Sequence, residues 1–426
     1  MPEQVGSLKT GIKYKDTPIG KIPVDWEITS IEKICNIKRG ASPRPIGDSS
    51  FFSATGRGWI RISDVTTTYK YLKRTSQYLS EKGVAGSVKV NPGDLIMSIC
   101  ATIGKPILLG IEACIHDGFV LFSGLSEKAD SEFLFYFLQN VENKFTTKGQ
   151  VGTQGNLNTS IVRKTILPLP PLSEQKKIAK ILSTVDDAIE KTTQIIEKTK
   201  EVKKGLMQRL LTRGIGHKKF KKTEIGEIPE EWEVMPIKSI LIKRKIKDPR
   251  NFPNQNFKYV DISSISNEAF KITGYQVFEG KNAPSRARKE VKWKDIIYAT
   301  VRPYLKRIAV VPKELDGEIC STGFCVIRCN DILSNYKFIF YILQTDWITE
   351  TMADLQRGSN YPAITDKDLH DQLIPLPEIG EQAKIAEILS SVDDRIEKES
   401  DHKDRLETLK KGLMQVLLAG RIRVKI

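Results

Sequence analysis

The polar side chains that this sequence offers for chemistry are mainly arginine, lysine, asparagine and glutamine in loops beside glycine or proline. Arginine and lysine bind phosphates, arginine pairs with guanine through two hydrogen bonds, and asparagine or glutamine pairs in the same way with adenine. The candidate nucleic-acid contacts in the first half are Arg39, Arg44, Arg57, Arg61, Lys73, Arg74, Lys105, Gln150, Gln154 and Asn156. Those in the second half are Arg244, Lys245, Arg286, Arg288, Lys289, Arg302, Tyr304, Lys306, Arg307, Arg357, Asn360 and Tyr361.

The distribution of charge agrees with this interpretation. The formal net charge is +15. Residues 1–165 carry 21 basic against 15 acidic side chains, and residues 213–372 carry 27 against 21. Such a surplus indicates a polyanionic partner, with nucleic acid ahead of an anionic membrane. Any one of these basic side chains is also explained as a solvated surface charge.

Motifs for catalysis or cofactor binding are missing from the sequence. There is no GxxxxGK[ST] phosphate loop, and no Asn-Pro-Pro-Tyr or Asp-Pro-Pro-Tyr run of the kind that adenine methyltransferases carry. A Glu-x-Lys triplet at Glu290–Lys292 suits a Mg²⁺-dependent nuclease only with a further acid, and such triplets arise by chance in a lysine-rich chain. Six cysteines without a CxxC pair and four histidines favour buried thiols over a metal site. We therefore predict no catalytic, cofactor or metal site in this chain.

The chain consists of two copies of one unit. Pro168–Leu211 aligns without gaps to Pro375–Leu418 with 25 identities in 44 positions. Lys13–Ile34 aligns to Lys219–Ile240 with 11 identities in 22. The middles are far less alike, which favours one scaffold used twice with two different contact surfaces over a duplication that simply drifted.

The repeat predicts an α+β fold with two globular recognition domains and two conserved helices. Short β-rich runs such as "DLIMSICA" and "DIIYATV" are punctuated by glycine and proline, and an aromatic helix-like run follows them in each copy. We place the domains at residues 1–167 and 213–374. The spacer helices follow at 168–212 and 375–426, the latter with a C-terminal tail.

Each conserved segment has the pattern of a long helix with an apolar seam. In the first helix the seam is predicted to contain Ile178, Leu182, Val185, Ile189, Ile196, Val202, Leu206 and Leu210. The other copy is the natural partner, and the chain connections require an antiparallel coiled coil. A spacer of roughly 57 Å is compatible with two DNA sites one helical turn, about 34–36 Å, apart. An oligomerisation stalk is the alternative for this helix pair.

The runs "LPLPPLSEQKKIAKILSTVDDAIE" and "IPLPEIGEQAKIAEILSSVDDRIE", each followed by a "KKGLMQ" segment, resemble the specificity subunits of type I restriction–modification enzymes. The resemblance covers the whole chain in the order of the family. It implies a non-catalytic subunit that binds a bipartite asymmetric DNA sequence, one half for each recognition domain. It also implies that the helices dock two methyltransferase (modification) subunits.

The same resemblance implies which partners and cofactors the complete enzyme uses. The modification subunits use S-adenosylmethionine to methylate adenine at N6 in duplex DNA, and flip the target base into their own site. Two restriction subunits add ATP- and Mg²⁺-dependent translocation and cleavage. Because both copies keep an acidic pair, we expect Asp186, Asp187, Asp393 and Asp394 to contact the modification subunits from an exposed face. The alternative is an ordinary charged helix face, with pairing to Lys191 and Lys398.

Two other function classes compete with this interpretation. One is a structural coiled-coil linker whose end domains bind proteins, and the other is a self-contained nuclease. The sequence has no apolar run long enough for a membrane helix and no apolar core near its first residue. We therefore expect a cytoplasmic protein with no membrane partner.

Overall fold

A computed structural model describes residues 13–149, 157–243 and 247–424 of the 426-residue chain. The chain divides into two compact units. The first unit comprises Met1–Gln194 and Ser400–Ile426, and the second comprises Ile195–Glu399. Both mix helices with small sheets, as the sequence predicts. Among the described residues, no helix has the length and apolar character required to cross a membrane.

The first unit is built on two five-stranded sheets. In spatial order, one contains Asn36–Arg39, Phe119–Ser123, Leu95–Ser98, Pro106–Leu109 and Tyr71–Leu72. The other contains Phe52–Ser53, Gln77–Leu79, Arg57–Ile60, Ala113–Ile115 and Val88–Val90. Two-stranded pairs join Tyr14–Lys15 to Ile22–Pro23 and Glu27–Ser30 to Ile166–Leu169. The helices other than the long ones are Ile31–Ile34, Ile62–Thr66, Glu81–Ala85, Ser131–Gly149 and Thr159–Arg163.

The second unit has smaller sheets in a related arrangement. A four-stranded sheet contains Gln276–Glu279, Asn256–Val260, Ile319–Ser321 and Ala287–Glu290, and a three-stranded sheet contains Ile308–Val310, Ile296–Ala299 and Phe324–Ile327. Two-stranded pairs join Phe220–Thr223 to Gly226–Pro229, Glu233–Pro236 to Leu373–Leu376, and Ile265–Ser266 to Lys271–Ile272. The shorter α-helices are Tyr336–Leu343, Asp346–Asp354 and Asp366–His370.

The central strand of the first unit, Leu95–Ser98, and that of the second unit, Ile296–Ala299, are buried on both faces, which explains their continuous apolar sequences. In the first unit, Leu95 and Met97 pack with the aromatic helix Ser131–Gly149, whereas Ile96 faces a second cluster of aliphatic side chains. In the second unit, Ile296 and Tyr298 pack with the aromatic helix Tyr336–Leu343, whereas Ile297 belongs to a separate, mainly aliphatic cluster. Because successive side chains of a strand point to opposite faces, one strand contributes side chains to two cores.

Two long helices, Leu172–Arg213 and Ile379–Leu417, contribute to both units. In the first unit, the end of the second helix packs beside the start of the first, with an ion pair between Asp186 and Lys410. In the second unit, Lys203 pairs with Asp393. Within the first unit, Glu174 pairs with Arg423 just after the second helix and Asp186 pairs with Lys410 inside it, so the two helical segments run antiparallel there, as predicted.

The seam is not composed of all the side chains that the sequence pattern selects. Ile178, Leu182 and Ile189 are at most 1% exposed, as a seam requires. Val202 is 57% exposed, and Leu409 at the same position of the second copy is 51% exposed. The assignment of Val202 to the seam is therefore wrong, because periodicity alone does not tell which edge of an apolar stripe a neighbouring helix covers.

Candidate nucleic-acid interface

Three segments of the second unit form one surface, which we call the second-unit loop surface: residues 300–307, 321–323 and 357–363. The Thr300 amide donates to the Gly323 carbonyl at 2.8 Å, and the Arg302 amide donates to the Pro362 carbonyl at 2.8 Å. Arg357 and Ala363 exchange backbone hydrogen bonds of 2.8 and 2.9 Å. These bonds bring together two loops that the sequence predicted separately.

The second-unit loop surface exposes aromatic and basic side chains. Tyr361 is 75% exposed and Tyr304 45% exposed. The Arg302 guanidinium carbon lies 5.5 Å from the centroid of the Tyr361 ring, and its Nη2 donates weakly to the Asn360 carbonyl at 3.4 Å. Arg357 is also exposed and pairs with Asp368 at 3.3 Å. Five of the predicted contacts, Arg302, Tyr304, Arg357, Asn360 and Tyr361, are therefore exposed on one surface.

Other predicted cations of the second unit are engaged by the fold itself. Lys306 binds Asp346 at 2.6 Å, and Lys289 binds Asp366 at 2.7 Å. Arg307 donates to the Ile262 carbonyl at 3.1 Å, and Arg288 donates to the Ala287 carbonyl at 2.7 Å. Such bonds hold the loops in place and leave fewer donors for a ligand. Among the same candidates, Arg286 is exposed, and its carbonyl accepts from Thr322 of the loop surface at 2.8 Å.

Arg250 lies elsewhere in the second unit and forms a local ion pair. Its guanidinium donates to both carboxylate oxygens of Asp248 at 2.8–3.2 Å. This hydrogen bonding lowers the pKa of Asp248 to about 2. The geometry therefore gives Arg250 a partner within its own turn.

The first unit has an equivalent surface, the first-unit loop surface: residues 39–45, 99–105 and 116–118. The Ile99 amide donates to the Gly118 carbonyl at 2.8 Å, which matches the bond between Thr300 and Gly323. Arg39 donates to the Asp117 carbonyl at 2.8 Å, and Arg44 reaches the Asp117 carboxylate at 3.2 Å. Two predicted arginines are thus brought together, around an acid.

The remaining candidates of the first unit differ in accessibility. Arg57 donates to Ala113, Val90, Glu112 and Asn91 at 2.7–3.1 Å, so its guanidinium is used to join strands. Lys73 and Arg74 are exposed, and Arg61 is half-buried.

Lys105 is half-buried and donates to the Thr66 carbonyl at 3.0 Å. Burial lowers the pKa of Lys105, and the nearby Glu142 carboxylate opposes that shift. Burial in turn raises the pKa of Glu142. The predicted contacts Gln150, Gln154, Asn156, Arg244 and Lys245 lie outside the described residues.

Several residues of the two surfaces were missed by reasoning from sequence. Ser42 donates to the Asp117 carboxylate at 2.8 Å and fixes the acid between the two arginines. His116 is largely buried, and burial together with the charge of Arg61 lowers its pKa. The turn "HDG" at 116–118 was the available signal, because it separates two apolar strands, but it contains no basic side chain.

The two acidic pairs on the long helices have unequal environments. Asp186 is 2% exposed, and it accepts from Tyr69 at 3.0 Å and Tyr136 at 2.7 Å while pairing with Lys410 at 2.8 Å. The expectation that Asp186 lies on an exposed face is therefore wrong: a buried acid needs these internal partners. Asp187 is exposed.

The second copy repeats this arrangement in a looser form. Asp393 accepts from Tyr341 at 2.8 Å and pairs with Lys203 at 2.7 Å. Its side chain is 34% exposed, and Asp394 beside it is exposed. In each copy the first acid of the pair thus serves the fold, and the second acid faces away from it.

Comparison with known proteins identifies the family. The sequence model described as "Type I restriction modification DNA specificity domain" matches residues 23–201 and again 229–408. The chain belongs to this family. The specificity subunit of the type I restriction enzyme MjaVIII from Methanocaldococcus jannaschii is 31% identical over 95% of each chain. A putative MjaX specificity subunit from the same organism is 31% identical over 97% of each chain.

A solved structure supports the fold of this specificity subunit. The S subunit of a type I restriction–modification system from M. genitalium matches 96% of this chain and 97% of its own with a TM-score of 0.58. The sequence identity is 13%, so this likeness concerns the fold alone. The predicted internal repeat is confirmed by the double family match, and family membership confirms the prediction of a non-catalytic subunit in a restriction–modification complex.

Proposed function

We propose that each unit of this specificity subunit binds one half of a split, asymmetric DNA target. The observation that carries the proposal is the pair of loop surfaces. Equivalent backbone hydrogen bonds, Ile99 to Gly118 and Thr300 to Gly323, hold loops whose side chains differ. One scaffold with two different sets of exposed side chains is what recognition of two different half-sites requires.

The chemistry of the exposed side chains suits duplex DNA. The second-unit loop surface presents Arg302, Arg357 and Asn360 for phosphates or base edges in the major groove. The first-unit loop surface presents Arg39 and Arg44, with Asp117 and Ser42 between them. Acids and hydroxyls beside arginines favour selection among bases over uniform attraction to phosphate, because an acid repels the backbone and accepts only from cytosine or adenine amines.

Identification of the target precedes the binding test. Sequencing of methylated bases in the source cell should reveal one split motif with adenine methylated on both strands. Fluorescence anisotropy with the chain and its modification subunits should then show tight binding to that duplex. The affinity should fall steeply with rising salt, because phosphate contacts release counterions. Insertion of bases between the half-sites should abolish specific binding.

A protein-binding linker is the competing function, and the same measurements separate it. Binding that does not weaken with salt, or that ignores the inserted bases, would contradict the DNA proposal. The nuclease alternative is not favoured, because the family model that matches both halves of the chain describes a DNA specificity domain. Incubation of the purified chain with supercoiled DNA and Mg²⁺ should leave the DNA intact.

We also propose that the long helices dock two copies of one methyltransferase subunit. Gly205 and Gly412 occupy the same position in the two copies, inside a helix, and a Cβ at either would meet nothing within 4 Å. Glycine costs a helix about 1 kcal/mol relative to alanine, and packing within the chain gives no reason for it. The exposed Val202 and Leu409 lie three positions before the two glycines. A close partner explains both features.

Substitution of these glycines tests the docking proposal. Gly205→Ala and Gly412→Ala should leave the isolated chain equally stable or up to about 1 kcal/mol more stable. Assembly with the modification subunit, followed by native mass spectrometry, should lose one copy for each single variant and both for the double variant. The control is Gly274→Ala, at an exposed position outside the helices where an added Cβ meets nothing within 4 Å. Full assembly of the double variant would contradict this docking face.

The cofactors of the complex are assigned by the same proposal to its partner subunits. S-adenosylmethionine would be held by the modification subunits, and ATP with Mg²⁺ by the restriction subunits. Equilibrium dialysis of S-adenosylmethionine against this chain alone should show no binding, and addition of the modification subunit should restore it.

A further inference from the structure

One position of the two loop surfaces has the same left-handed φ and a different side chain. Ala101 has a φ of 54° and Arg302 a φ of 51°. Each stands three residues after the end of the central strand of its unit, which ends at Ser98 or Ala299. This left-handed region is disfavoured for residues with a Cβ. Both units nevertheless have this conformation at a residue other than glycine. We take this to mean that the path of the loop is required and that the side chain is what differs between the units.

Arg302 is fixed in place by its surroundings. Its amide is bonded to Pro362 at 2.8 Å, and Pro303 opens a short 3₁₀ helix, Pro303–Leu305, directly after it. Its guanidinium lies over the Tyr361 ring, 5.5 Å from the centroid. Stacking on an aromatic face restricts the orientation of the planar fork, so less freedom is lost when the fork binds a ligand.

The charge of Arg302 is not neutralised by the parts of the chain that the structure describes. No ion pair found among those residues includes Arg302, whereas Lys306, Lys289 and Arg357 each bind a carboxylate. The hydrogen bond to the Asn360 carbonyl, at 3.4 Å, takes one of its five donors. Arg302 therefore keeps a free pair of donors at the exposed tip of the surface.

We infer that Arg302 recognises a guanine in the half-site bound by the second unit, through two hydrogen bonds to O6 and N7 in the major groove. Ala101 gives the first unit only a methyl group at the same backbone position. That group suits contact with a thymine methyl and cannot select guanine. The inference rests on the proposed function and adds to it the residue and the base.

A selection experiment tests this inference with the chain assembled with its modification subunits. Duplexes with both half-sites randomised are bound, recovered and sequenced. Wild type should select a split motif that includes a guanine in the second half-site. Arg302→Ala should lose the preference at that one base pair, keep all others, and bind the wild-type duplex at least tenfold more weakly. Arg302→Lys keeps the charge without the fork and should recover part of the affinity with little of the selectivity.

Two further variants make the result specific. Lys281→Ala removes one exposed charge outside the loop surface and should leave the motif unchanged. Ala101→Arg should create a preference for guanine in the first half-site. Equal weakening by Arg302→Ala on every sequence, with the motif intact, would mean a phosphate contact and would overturn the inference. A wild-type complex that selects no split motif would overturn the proposed function itself.

Discussion

The two units anchor the start of a long helix in the same way, but with a different nitrogen-containing side chain, Arg423 in the first and His217 in the second. In the first unit, Glu174 is fully buried and accepts from the Trp26 indole at 3.0 Å. Arg423 donates to both oxygens of Glu174 at 2.7 and 2.8 Å, and also to Asp25 at 2.7–2.8 Å. One guanidinium therefore bridges two acids and ties the C-terminal tail to the unit.

In the second unit a histidine takes the place of the arginine. Glu381 accepts from Trp232 at 3.0 Å, and His217 Nε2 lies 2.9 Å from Glu381. The other ring nitrogen of His217 is 3.1 Å from Glu231. The tryptophan and the acid recur, and the nitrogen-containing side chain that binds the acid is the variable member. A guanidinium stays charged at all practical pH values, whereas an imidazole is charged only when protonated.

The contrast between this anchor and the loop surfaces shows what duplication preserved. Under the helices the residues themselves recur, including the glutamines that follow the two acids. Gln175 and Gln382 each donate to a proline carbonyl five residues back, at 2.7 and 2.8 Å. Contacts inside the scaffold therefore keep the same residue types in both copies. On the loop surfaces the two copies keep the backbone path but not the side chains.

The largest effect is expected when the anchor acid is removed. Glu174→Ala leaves the Trp26 indole without an acceptor and leaves Arg423 with Asp25 alone, and loss of one partner of a buried pair costs about 3–5 kcal/mol. Hydrogen exchange measured by mass spectrometry should show faster exchange in the first unit and little change in the second. Glu381→Ala is the matched variant and should cost the second unit less, because Glu381 is 17% exposed. Equal losses would contradict the comparison.

A smaller difference is expected between the two acid–lysine–tyrosine clusters. Asp186→Ala strands Lys410, whose side chain is 9% exposed, and should cost about 2–3 kcal/mol. Asp393→Ala should cost about 1 kcal/mol, because Asp393 is 34% exposed and water can replace its bonds. The same exchange measurement checks both values. Asp186→Ala combined with Lys410→Met should recover part of the loss, because it no longer buries an unpaired charge.

The smallest effect concerns the outer acid of the first anchor and depends on pH. The hydrogen bond from Arg423 is the main reason that the pKa of Asp25 lies below its ordinary value of 3.8. Its contribution to stability is therefore complete above pH 3.8 and is lost as the pH falls through the lower folded value. Asp25→Asn should cost less than about 1 kcal/mol at pH 7, since the pair is partly exposed, and nothing at a pH below both values. Urea denaturation at the two pH values, with Glu231→Gln as the control in the second unit, checks this difference.

Most of the fold could be predicted from the sequence, because the sequence contains the same unit twice. Two alignments of the chain with itself located the long helices, and one of them pairs Trp26 with Trp232, both of which lie in the core at 0% and 1% exposure. Apolar runs such as Leu95–Ser98 indicated strands covered on both faces. These signals are local, or depend on comparison of the chain with itself.

The candidate site was harder to predict from the sequence, because its geometry depends on residues that only the tertiary structure brings together. Nothing in the sequence distinguishes the exposed Asp187 from the buried Asp186 until Tyr136 and Lys410 are placed beside the helix. Likewise, no local pattern shows that Arg57 joins strands while Arg302 forms no ion pair with the described part of the chain. The left-handed backbone of Ala101 and Arg302 also has no signal, because glycine is the residue that normally marks such a position.

The way the first unit is completed also has a consequence for the order in which the protein folds. Met414, Leu417 and Leu418 belong to the core of the first unit, and Arg423 closes its anchor. These residues are synthesised after the second unit, which is one continuous stretch, Ile195–Glu399. The usual sequence of co-translational maturation, in which the N-terminal part is finished first, is therefore reversed. In a nascent chain the second unit should therefore be able to fold before Ser400–Ile426, which completes the first unit, has been synthesised.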